Sequence, residues 1–138
     1  MKLSTHRLVA IVLSALMLAA GSGKGDAVQT LLSAGAAHNV PDSTGNTAIA
    51  YAAAVPKNGA VVKMLLEDGA DPDAADAQGV TPLMKAAERA DAEQVVMLLN
   101  AGAVPSGTSK DGKTALDRAK SRTDDTGKQI ATVLGQAG

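Results

Sequence analysis

The chain contains no cysteine. Disulfides, thiolate metal sites, cysteine nucleophiles and lipid attachment through a thiol are therefore excluded. It also has no Phe and no Trp, and Tyr51 is its single aromatic residue. A core without large rings must be filled by Leu, Val, Ile, Met and Ala. That suits thin, closely packed helices better than a deep globular centre or an aromatic-lined cavity. An excess of one charge is missing too: 13 basic residues stand against 14 acidic ones. Nothing here points to an electrostatic grip on nucleic acid. No alternating strand pattern occurs, and no glycine-rich run follows a strand to hold phosphates. The longest apolar run, Leu8 to Ala20, has 13 residues, short of the roughly 20 needed to span a bilayer.

What the chain does have is repetition. Within 138 residues, 46% of them apolar, "LLSAGA" ends at Ala36, "LLEDGA" at Ala70 and "LLNAGA" at Ala103. The intervals are 34 and 33 residues. A second signature lies upstream of the later copies and of one further position. "TAI" begins at Thr47, "TPL" at Thr81 and "TAL" at Thr114, with Gly45, Gly79 and Gly112 each two residues earlier. Periods of this size mark stacked structural units.

One unit can be read physically in "DAQGVTPLMKAAERADAEQVVMLLNAGA". Asp76 and Gly79 supply turn chemistry. Thr81 suits a helix N-cap, and Pro82 suits the first helical position, where its missing N–H costs nothing. Leu83, Ala86 and Ala87 then form one apolar stripe, and Val95, Leu98 and Leu99 form the same stripe on a second helix. Gly102 ends that helix. Neither short helix can bury its stripe alone, so the units must stack.

Two irregularities stand out. Pro56 stops a helix, and the added residue in "AAAVPKNGA" lengthens the inter-helix loop, with a turn expected at Asn58-Gly59. In the last unit Ile130, Val133 and Leu134 carry the stripe two residues late, after the polar "KSRTDDTGKQ". Such polarity suits a terminal unit, whose outer face has no neighbour.

The pattern resembles the ankyrin repeat, a 33-residue unit containing T-P-L-H-x-A. "TPLMKAA" (Thr81–Ala87) matches closely, and "TAIAYAA" (Thr47–Ala53) and "TALDRAK" (Thr114–Lys120) follow it. Ala50, Met84 and Asp117 stand where the family usually has His, which implies looser ties between neighbouring loops. The resemblance covers about Gly23 to Leu134. It implies an all-α, ankyrin-type helix-turn-helix solenoid of three to four repeats, in units of about 23–42, 43–76, 77–109 and 110–138.

The first 22 residues admit two readings. Lys2, His6 and Arg7 precede the apolar run, and Gly21, Ser22 and Gly23 follow it, the layout of a secretory signal peptide over 1–22. Extending the register by 33 residues from Thr47 reaches Ser14, however. "SALMLAAGSG" then lines up with "TPLMKAAERA", and Val28, Leu31 and Leu32 carry the second-helix stripe. The segment is alternatively the first helix of repeat one. Against that, "AIVL" replaces the Asp-x-x-Gly loop expected before Ser14, and Leu8 to Leu13 is apolar all round, a solubility liability at the end of a stack. The favoured expectation is export, with the mature chain periplasmic or secreted from a bacterial cell; a cytoplasmic location is the alternative.

No catalytic constellation is legible. His6 and His38 have no nucleophile in a recognisable setting, and His38 is expected as a solvated loop residue. The acidic run from Glu67 to Asp76 lacks the alternating ligands and distal Glu of a calcium loop. No enzyme, cofactor or metal site is expected. The family resemblance implies instead a concave face of loops and first helices that binds a partner protein. Tyr51, Lys85 and Arg118 are expected along it in one exposed row, with Asn46, Gln78, Val80, Glu88, Arg89, Lys110 and Lys113 around them. The two cations of the row favour an acidic partner surface. Lys63 and Gln94 are placed on the back. A monomer that holds or regulates one partner protein is expected, without nucleic acid and without membrane insertion once the signal is removed. The alternative is a structural scaffold or protective partner of a cell-envelope enzyme.

Overall fold

The computed structural model describes residues 4–137, the His6 side chain excepted; Lys2, part of the expected basic leader, lies outside them. Among the described residues there are eight helices and no strand. They are α1 Thr5–Gly21, α2 Gly25–Ser33, α3 Ala48–Ala53, α4 Gly59–Glu67, α5 Pro82–Arg89, α6 Ala92–Asn100, α7 Ala115–Lys120 and α8 Asp125–Ala137. They pair in sequence, giving four units. The first helices α1, α3, α5 and α7 pack in one row, and the second helices α2, α4, α6 and α8 pack in another.

Local chemistry places the helix ends. The Thr81 hydroxyl accepts from the Met84 N–H ahead of Pro82, and Thr114 forms a reciprocal capping box with Asp117. Asp91 accepts from the Gln94 N–H to start α6. Gly35, Gly69 and Gly102, one per repeated hexamer, have φ of 88°, 95° and 100°. That left-handed conformation satisfies the last carbonyls of α2, α4 and α6.

The core is one continuous apolar seam between the two rows. Leu16, Ile49 and Leu83 occupy the same register of successive first helices and are at most 1% exposed. Val28, Val62 and Val95 do the same on the second helices, with no exposure. Of the expected stripe, Leu65 and Leu98 are fully buried, whereas Leu66 and Leu99 are half-buried at the seam's edge. In the final unit Ile130 and Leu134 are buried and Val133 half-buried.

Between α3 and α4 the extra residue is absorbed differently from expectation. Lys57, the one non-glycine residue with positive φ (59°) among those described, makes the bend, and Gly59 is already the first residue of α4. The Lys57 N–H donates to Asp91 Oδ2 at 2.8 Å, so the next unit holds the bend in place.

At the N-terminal end, α1 has two halves. Leu16 and Ala20 are fully buried, and Met17 and Ala19 nearly so, packed with α3 in the place of unit one's first helix. The outer half continues the helix where the other units have a loop. It is started by Ser4, whose hydroxyl accepts from the Arg7 N–H at 3.2 Å.

A candidate interaction groove on the first helices

The loops before α3 and α5 are each organised by one acidic side chain. Asp42 Oδ1 accepts from the N–H groups of Thr44 and Asn46 at 2.9 and 3.0 Å. Asp76 Oδ1 accepts from those of Gln78 and Val80 at the same two distances. Successive loops are joined through the backbone: the Ala77 N–H donates to the Thr44 carbonyl at 3.1 Å, and the Lys110 N–H to that of Gln78 at 2.9 Å. Gly45 permits the approach, since a Cβ there would lie 2.7 Å from the Ala77 nitrogen.

The remaining acceptor of each loop ties it to the following helix. The Tyr51 hydroxyl donates to Asp42 Oδ2, and the Lys85 ammonium to Asp76 Oδ2 at 3.1 Å. In the last unit Ser109 stands at that place, and the Arg118 guanidinium donates to its hydroxyl at 2.9 Å. The separation is nine residues each time. Asp111 restores the missing carboxylate 3.5 Å from Arg118, and Glu88 adds another at 3.3 Å. The loops are therefore firmly tied despite the absence of the family's usual His, with Ala50 and Met84 buried at that position. Electrostatics follow. Burial pushes the Asp42 carboxyl up, but hydrogen bonds from Tyr51, Thr44 and Asn46 outweigh it and hold it at about 2. For Asp76, burial is likewise overcome by the Val80 N–H, Lys85 and the Gln78 N–H, so its pKa is lowered. The bond to Asp42, and then burial, raise that of Tyr51.

Tyr51, Lys85 and Arg118 do form one row, yet they are half-buried rather than exposed. With Asn46, Val80, Glu88 and Arg89 they line one groove of about 270 Å³. Gln78, Lys110 and Lys113 do not join it; they are exposed in the loops at its margin. The expected attraction for acids is weakened, because Lys85 and Arg118 are already paired with Asp76, Glu88 and Asp111. Arg89 is exposed and makes no ion pair among the described residues.

Sequence reasoning missed three features. Ala50 and Ala54 line the groove; the register would have found Ala54, which aligns with Glu88. Leu18 aligns with Tyr51 and is a fourth member of the row. It is 72% exposed, and a second hollow, of about 460 Å³, runs between it and Tyr51 over Met17, Gly21 and Asp42. Gln94 is not a back-surface residue: it has no exposure. Its amide donates to the Ala53 and Val55 carbonyls at 3.2 and 2.9 Å, and its oxygen accepts from the Asn58 N–H at 2.7 Å.

That last tie recurs. The Asn58 amide donates to the Ala20 and Ala52 carbonyls at 2.9 and 3.1 Å, and Arg122 to those of Ala87 and Ala90 at 3.3 and 2.8 Å. The end of each of the first three first-helices is thus closed by a polar side chain of the following unit. His38 is half-buried instead of solvated, with Nε2 2.8 Å from the Asp68 carbonyl oxygen. The acidic run is likewise engaged in loop structure. Asp71 accepts from the Asp73 N–H, and Asp73 from the Val104 N–H, both at 2.9 Å.

Comparison with known families gives two matches. A family described as ankyrin repeats in three copies matches residues 9–76, and one described as ankyrin repeats in many copies matches 54–119. Together they span both halves of the stack and include the buried half of α1. No curated protein matches the chain.

Proposed function

The chain belongs to the ankyrin-repeat family, whose members are generally protein–protein interaction modules, and from that premise we propose that it is a non-catalytic module binding one partner protein across its first-helix face. The carrying observation is the row Leu18, Tyr51, Lys85 and Arg118, one residue from each of four stacked units. The row changes character along its length. At one end Leu18 and Tyr51 flank an apolar hollow. At the other, the cations are neutralised within the fold, and Arg89 alone among the groove's cations lacks an acidic partner among the described residues.

Such a face suits a partner segment that inserts an apolar side chain between Leu18 and Tyr51 and presents a carboxylate to Arg89. Buried apolar and aromatic contacts supply most of the affinity in such interfaces, and exposed charges supply little. The test is capture of a partner from the native source with the full chain, followed by titration of variants. Leu18→Ser and Tyr51→Ala should each weaken binding by more than about 1 kcal/mol. Tyr51→Phe, which keeps the ring, should weaken it less. Lys63→Glu, exposed on α4, should change nothing. Equal losses at Leu18 and Lys63 would sink the assignment.

We also propose that α1 stays with the working protein. Cleavage near Gly21 would remove Leu16, Met17 and Ala20 from the core and take the Ala20 carbonyl from the Asn58 amide. Export with removal of a signal peptide over about 1–22 is the competing proposal, carried by the basic, apolar and small-residue order of the sequence. Intact mass of the protein from its native source separates them. A full-length chain supports retention, whereas a chain beginning at Ser22 or Gly23 supports export.

A further inference from the structure

Eight large hydrophobic residues are exposed among those described, and four of them, Leu8, Val9, Ile11 and Val12, lie in the outer half of α1 at 37–54% exposure. They adjoin an apolar cleft of about 270 Å³ that Leu13 and Val40 help to line. An apolar surface of this kind at the end of a stack requires a cover.

Charge indicates which cover. Residues 1–21, through the end of α1, contain Lys2 and Arg7 and no acidic residue, both basic residues preceding the apolar turns. The rest of the chain has 11 basic residues against 14 acidic ones. The segment that carries the apolar turns is thus net positive in an otherwise acidic protein. We propose that the outer half of α1 is a docking surface for the interface of an anionic lipid bilayer, which it enters without spanning. This rests on α1 being retained.

The geometry limits the depth of entry. No described helix is long and apolar enough to cross a membrane, and the inner half of α1 is held in the core by Leu16, Met17 and Ala20. About two turns are left to lie in the headgroup region, the depth at which interfacial helices bury their apolar side chains. Arg7, exposed beside them, meets lipid phosphates there. A second copy of the chain fits less well. A two-fold contact through this patch would bring the two Arg7 side chains toward one another.

The experiment is flotation of the purified full chain, its mass verified, with vesicles of phosphatidylglycerol and phosphatidylcholine and with phosphatidylcholine alone. Verification of the mass separates a failure of docking from processing of the chain. Binding to the anionic vesicles should exceed binding to the neutral ones at least tenfold and fall as salt is raised. The double variant Leu8→Ser with Ile11→Ser alters exposed positions only and should keep its helical circular dichroism while losing vesicle binding tenfold or more. Arg7→Glu should lower binding to anionic vesicles specifically. Lys120→Glu, at the opposite end, should have no such effect. Absence of flotation, equal flotation with both vesicle types, or unchanged binding of the double variant would overturn the proposal. So would self-association of the full chain that the double variant abolishes, in the absence of vesicle binding, since the cover would then be a second copy.

Discussion

The two ends of the stack meet the same physical problem, an outer face without a neighbour, in opposite ways. At the C-terminal end α7 and α8 enclose their apolar residues, Ala119, Ile130 and Leu134, and show water a polar exterior. Arg122 closes α5 and pairs with Asp124 at 2.7 Å, and a capping box starts α7. At the N-terminal end α1 covers α3 with equal tightness but leaves Leu8, Val9, Ile11 and Val12 in solvent. The interior sides of the two ends are alike; only their outer faces differ. Packing therefore demands a cover at both ends, whereas the character of the outer surface is free for function to use.

That comparison can be broken in several places. Deleting residues 1–21 should have the largest effect, because it uncovers the side of α3 on which α1 packs and leaves the Asn58 amide short of an acceptor. Circular dichroism should show more helix lost than α1 alone contains, with a collapse of the urea midpoint. If the truncated chain kept its midpoint, α1 would be an appendage and the ends would not be comparable.

Next come single core residues. Leu65→Ala in mid-stack should cost about 2–5 kcal/mol by urea denaturation, from lost transfer energy and a cavity. Leu134→Ala should cost less, since the last helix can settle toward the opened space. Equal costs would mean that the C-terminal cap is packed as rigidly as the centre.

The carbonyl ties offer a sharper contrast of smaller size. Gln94→Ala removes the partner of the Ala53 and Val55 carbonyls and of the Asn58 N–H, and should destabilise by about 1–3 kcal/mol. Arg122→Ala makes the same cut at the C-terminal end, where truncating the half-buried arginine would open the Ala87 and Ala90 carbonyls to water, and should cost less by the same urea measurement.

The smallest effect concerns pH. The folded pKa of Asp42 is depressed to about 2, below the ordinary carboxylate value. Its contribution is therefore complete above about pH 4 and lost as pH falls toward 2. Thermal melts at pH 6 and pH 2.5 should show the wild type losing more than Asp42→Asn. An identical acid response in both chains would contradict the loop tie from Tyr51.

How much of this was legible beforehand varies by element. The units from Thr47 onward could be read because threonine, glycine and the paired leucines each act locally, as a cap, a left-handed bend and a buried stripe. The row of Tyr51, Lys85 and Arg118 followed from register alone. Applied one unit further back, the same register would have added Leu18. What register could not supply was the state of those side chains. Tyr51 and Lys85 point at carboxylates nine residues behind them, and pairing of that kind depends on how a loop folds back.

The amino-acid sequence by itself determined the repeat period and, from Thr47 onward, the first-helix caps and the apolar seam, since 33-residue periodicity and caps act over a few residues at a time. Three matters were decided only by the tertiary structure. It showed Gln94, Asn58 and Arg122 as internal ties, because each reaches a carbonyl 32 to 41 residues away. It turned an expected cationic row into a largely neutralised groove. And it divided one apolar run, uniform in composition, into a half that is buried and a half that is not. Hydrophobicity says that a residue gains by leaving water, but whether another surface is there to receive it depends on where the chain's remaining helices lie.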